Sequence, residues 1–88
     1  MEERFSVWQF STSEFGNIQE KVRELVSAEE AMGAFGYYTN NVATAIGATA
    51  RVIITDDGDS VVAEWKKDEG YTFPPELVAE AKKAGLQK

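Results

Sequence analysis

The residues best equipped for chemistry sit in "RVIITDDGDSVVAEWK", Arg51 to Lys66, where Asp56, Asp57 and Asp59 surround Gly58. Aspartates at alternate positions are hard oxygen ligands, and calcium loops are built from them. Such a loop also needs a distal bidentate glutamate. Position twelve counted from Asp57 is Asp68, which falls in a different loop beyond a strand. The competing reading is a hairpin corner, since Asp-Gly between two apolar runs is the strongest short hairpin signal. The sequence favours the corner, and no metal or cofactor is expected.

Two further spacings invite a site. "GAFG" (Gly33 to Gly36) has the GxxG spacing of a phosphate-clamping loop. It lies inside a helical stripe, just after Glu29 and Glu30, so helix packing is the simpler reading. "YYTNN" places Tyr37, Asn40 and Asn41, with Thr44, on the flank of the same helix. They form either a polar recognition patch or an ordinary solvated face. Ser and Thr occur, but the chain has no histidine to serve as the base of a triad. Nothing in the spacing of the carboxylates selects an acid and base pair.

Composition narrows the function further. The chain has 88 residues, enough for one small domain, 1–88, with no room for a second core. Fifteen acidic and nine basic residues give a formal charge of −6. That argues against nucleic acid as a partner, because phosphate binding needs a surplus of Lys and Arg. The absence of cysteine excludes disulfides and thiolate metal sites. The opening "MEERFSVWQF" does not read as a secretory signal, and no apolar run approaches the roughly 20 residues that cross a bilayer. A soluble cytoplasmic protein is expected, and enzymatic activity is not.

These groups must be positioned by a small set of elements. "RFSVWQF" (Arg4 to Phe10) is rich in aromatic and β-branched residues and predicts a strand. Large apolar groups on both of its faces, Phe5/Val7 and Trp8/Phe10, make it a central strand or one covered on both sides. Ile18 to Val26 is ambiguous. Its composition favours helix, yet Ser27 with Glu30 forms a capping box that starts a new helix at once. A strand feeding straight into a capped helix is the easier geometry. The helix from Ala28 to Ile46 carries one stripe: Ala31, Phe35, Tyr38, Val42, Ile46. Gly47 stands where a left-handed residue would end it. "KKDEGY" reads as a charged loop, and a short C-terminal helix follows, with Pro75 in its first turn and Gly85 as its stop.

A two-residue turn at Asp57-Gly58 fixes a register by counting outward. Ile54 then faces Val61, Val52 faces Ala63 and Ala50 faces Trp65, an apolar set. Ile53 with Val62 and Arg51 with Glu64 form the mixed face. The fold class expected is α+β: a four-stranded, mainly antiparallel sheet in ββαββ order, with a long helix on one face plus the short C-terminal helix. If Ile18 to Val26 is helical, a helical pair on a smaller sheet is the alternative. The candidate interface is then Trp8, Phe10, Ile53, Val62, Tyr71 and Phe73 on the second sheet face. That face is either open, as an interaction surface, or covered by the C-terminal helix folding back.

"YYTNNVATAIG", "RVIITDDGD" and "EWKKDEGYTFP" together resemble uncharacterised short proteins of bacteria and their phages, best over residues 28–75. The resemblance implies no activity and carries over no site; it points toward a mobile element. The function expected is a non-enzymatic protein-binding module, as a homodimer through the open sheet face or a strand edge. The alternative is an acidic decoy of phage type, whose carboxylates imitate nucleic-acid phosphates and block a basic protein groove. A carboxylate-based enzyme ranks last, since it needs a concave pocket with converging acids.

Overall fold

A strand passes directly into a helix at Ser27, as the capping box predicts. In this computed structural model, which describes residues 3–13, 16–41 and 47–83, the Ser27 hydroxyl accepts the Glu30 N–H at 3.2 Å. The strand before it, β2 (Gly16–Val26), pairs antiparallel with β1 (Phe5–Ser13). The helix after it is α1 (Ala28–Asn40). Then come β3 (Thr49–Asp56), β4 (Val61–Lys66), β5 (Gly70–Phe73) and a second helix, α2 (Pro75–Lys83). The five strands form one antiparallel sheet in the order β2-β1-β3-β4-β5. The fold is α+β with a long and a short helix, as expected, and β1 lies inside the sheet between β2 and β3.

The strand count differs from the expected four. Gly70–Phe73 is a strand, not the end of a charged loop. Asp68 and Gly70 adopt positive φ, 69° and 77°, and fold "KKDEGY" into a tight turn. The strand is only four residues long before the cis Phe73–Pro74 bond and α2, too short a run to stand out in the sequence.

The helix also ends earlier than the stripe suggests. Asn41 is extended (φ −82°, ψ 180°) and closes α1. Thr39 Oγ1 and Asn40 Nδ2 both donate to the Gly36 carbonyl, so polar side chains compete with the helix for its last acceptors. Val42, Thr44, Ile46 and Gly85 lie outside the described residues. Gly47 does have the expected positive φ, 84°.

The core lies between α1 and one face of the sheet. It joins Ala31, Ala34 and Phe35 of α1 to Val7, Val52, Ile54, Ala63 and Tyr71. The Phe35 and Tyr71 rings meet at a tilt of 52°, with centres 5.8 Å apart. Leu77 of α2 packs against the same cluster, so both helices share one face. The C-terminal helix therefore does not cover the second face. The molecule is 19 Å along its thinnest axis, which fits one layer of helix on one of sheet. No helix among the described residues is long and apolar enough to cross a membrane.

Candidate functional site

The aspartate cluster is a corner. Asp57 and Gly58 are the central residues of a β-turn closed by the Asp59 N–H on the Asp56 carbonyl at 3.1 Å. Asp59 follows in the left-handed region, φ 65°, and the Asp56 N–H donates to the Ser60 carbonyl. The loop therefore has three residues, not two. The Asp56 carboxylate accepts the N–H groups of Gly58 (2.9 Å) and Ser60 (3.0 Å) through one oxygen. It braces the turn instead of facing Asp59. Among the described residues no cluster of three or more acids is arranged to hold a metal ion.

That extra residue changes the register, and so does a bulge between Ile54 and Thr55. Ile54 faces Ala63, Val52 faces Trp65, Ile53 faces Glu64 and Arg51 faces Lys66. Every pair differs from the expected one by two positions. Two single-residue shifts add to an even number, so the faces of Val52, Ile54, Ala63 and Trp65 are as expected. The residue that pays is Val62, which is extra in the bulge and points the same way as Ala63. It lines an apolar groove of about 170 Å³ with Phe5, Ala31, Met32, Ile54 and Leu77. Val62 is thus not part of the second face. Tyr71 is not either: it is core, and its hydroxyl lies 3.1 Å from Thr39 Oγ1.

The second face keeps Trp8, Phe10 and Ile53 from the expected set, with Phe73 opposite Glu64 at its rim. Among the described residues no helix lies on it. It is nevertheless dressed by its own side chains. Lys21 Nζ lies 4.8 Å from the Trp8 ring centre, and the Arg51 guanidinium 5.1 Å from that of Phe10. The Trp8 indole N–H donates to Thr55 Oγ1 at 3.1 Å. Ile53, between Trp8 and Glu64 in the register, is only 6% exposed. Glu64 receives Arg51 Nε on one oxygen and the Thr72 hydroxyl, at 2.8 Å, on the other. Burial pushes the Glu64 carboxyl up; the Thr72 and Arg51 hydrogen bonds, with the charges of Arg51 and Lys66, outweigh it and hold the group below its ordinary value.

The remaining candidates lie elsewhere. Tyr37, Asn40 and Asn41 belong to the end of α1, on the opposite side of the sheet. Tyr37 is 64% exposed and meets Tyr38 edge to face, while the Asn40 amide is spent on Gly36 and Thr39. The structure does not bring these three together with Trp8. Lys21, Arg51, Glu64 and Thr72 were not singled out as site residues from the sequence. A two-residue connection after Ser13 would have set Lys21 opposite Trp8, the pair observed. No family model, no curated protein and no solved structure matches this chain.

Proposed function

We propose that the chain is a non-enzymatic protein-binding module that docks a partner on the uncovered sheet face. The observation behind this reading is the ring-and-cation layer on that face. Trp8 and Phe10 are half-buried, each under a cation, and Trp and Arg are the residue types that dominate binding energy at protein interfaces. Mixed charge beside fixed aromatic rings is the composition of a protein-binding surface. The decoy reading needs carboxylates gathered on one face. Here Asp56, Asp57 and Asp59 sit at one corner, Glu29 and Glu30 begin α1, and Lys21, Arg51 and Lys66 occupy the open face. Docking is therefore the reading retained.

The test is affinity capture from the native host with three baits: the wild type, Trp8→Ala and Tyr37→Ala. A partner held by the wild type and Tyr37→Ala but lost by Trp8→Ala supports docking on the sheet face. Equal retention by all three rejects it. Circular dichroism of each bait separates lost binding from lost folding.

A further inference from the structure

The outer edge of β2 points to a second copy of this chain. From Trp8↔Lys21 to Ser13↔Gly16 the β1–β2 register runs without a shift; the irregularities begin beyond Lys21. The Thr12 N–H donates to the Ala48 carbonyl, on the side of β1 away from β2. Thr12 and its partner Asn17 are therefore a pair without mutual hydrogen bonds, and the N–H and C=O of Asn17 point outward. Alternation makes the same true of Gln19 and Lys21. Among the described residues no strand pairs with that edge. Exposed edges are usually blunted by bulges or charge, and this stretch carries neither before Glu20.

We propose that two copies join edge to edge along β2, antiparallel, about a two-fold axis through Ile18. That register sets Ile18 against Ile18 of the second copy, Asn17 against Gln19, and Gly16 against Glu20. Ile18 is 56% exposed in the single chain, and this pairing covers it. The Asn17–Gln19 pairs place outward backbone groups opposite one another, with two side-chain amides alongside. Centring the axis on Glu20 or Lys21 would set like charges directly opposite, which is unfavourable. The strand is thus self-complementary at Ile18, the requirement of a two-fold interface. An axis perpendicular to the sheet leaves both Trp8 faces on the same side of one continuous sheet. The pairing stands independently of what that face binds.

The experiment measures self-association and register together. Sedimentation equilibrium from micromolar to millimolar protein is expected to show a weak monomer–dimer equilibrium. Gln19→Pro removes an outward N–H without touching the β1–β2 ladder, so it should weaken dimerisation by about tenfold or more while the folded monomer persists. The chain has no cysteine, so single thiols report the register. Ile18→Cys should form a disulfide dimer under mild oxidation, because facing residues of this kind have Cα atoms about 4.5 Å apart. Glu20→Cys, on the same face but displaced from the axis, should not. A wild type that stays monomeric throughout overturns the proposal. So does Glu20→Cys cross-linking as readily as Ile18→Cys, or a dimer abolished by Trp8→Ala yet indifferent to Gln19→Pro. Should Gln19→Pro fail to fold, the two thiol variants decide.

Discussion

Arg51 and Glu64 bond diagonally across β3 and β4, Nε to Oε2 at 2.5 Å, although the residue directly opposite Arg51 is Lys66. The Glu64 side chain is 15% exposed and the Thr72 hydroxyl occupies its other oxygen. Its acidity follows from this setting. The folded group releases its proton more readily than the unfolded one, whose ordinary value is 4.5. The unfolded chain therefore binds the proton first as pH falls. Glu64's contribution to stability is complete above about 4.5 and is lost as pH drops through the lowered folded value. Urea midpoints from neutral pH down to acid should fall less steeply in Glu64→Gln than in the wild type. Thr72→Val should raise the Glu64 titration midpoint, measured by NMR.

The corner offers a contrast between neighbours. Asp56→Ala strips the acceptor from two backbone N–H groups and should cost about 1 kcal/mol. Asp57→Ala should stay within about 0.5 kcal/mol of the wild type, as exposed surface changes do. Calcium at millimolar concentration should leave the melting temperature unchanged. A calcium-dependent rise abolished by either substitution would restore the metal reading of this turn.

Gly33 and Gly36 sit inside α1, and a Cβ built on either meets nothing within 4 Å. Close packing is therefore not what they provide. Neither has positive φ. Alanine at each position should stabilise the protein by roughly 0.5–1 kcal/mol, since glycine is costly in a helix interior. Thermal melts of the single variants check this.

Tyr71→Phe removes one hydroxyl from the buried pair with Thr39. Thr39 still donates to the Gly36 carbonyl and accepts from Asn40, so it is not orphaned. The loss should be about 1 kcal/mol with an unchanged urea m-value. Phe35→Ala, which empties the centre of the core, should cost about 3–5 kcal/mol.

Much of this architecture is legible in local chemistry. The capping box at Ser27 identified β2 as a strand against its own helical propensity, because a helix cannot end where another begins without connecting residues. The Asp57-Gly58 corner and the apolar side of the ribbon follow from turn chemistry and alternation. What escaped are the single-residue irregularities. The bulge at Val62 obeys no sequence pattern, yet it moved that residue to the helix side. A second irregularity leaves Thr72 extra between Tyr71 and Phe73, and its hydroxyl reaches Glu64 on the open face. Asn41 ends α1 through an extended backbone that the stripe of apolar residues does not reveal. The open face was legible as aromatic, while the cations resting on its rings depend on cross-strand partners that periodicity alone does not supply.

The strand order has a consequence for synthesis. The β1–β2 hairpin is made before β3, and the free edge of β1 gains its neighbour only when Thr49 and the residues after it have been made. Until then the nascent chain shows Val7 and Trp8 to whatever else is unfolded nearby, so a translational pause before β3 exposes it to aggregation along this unpaired strand.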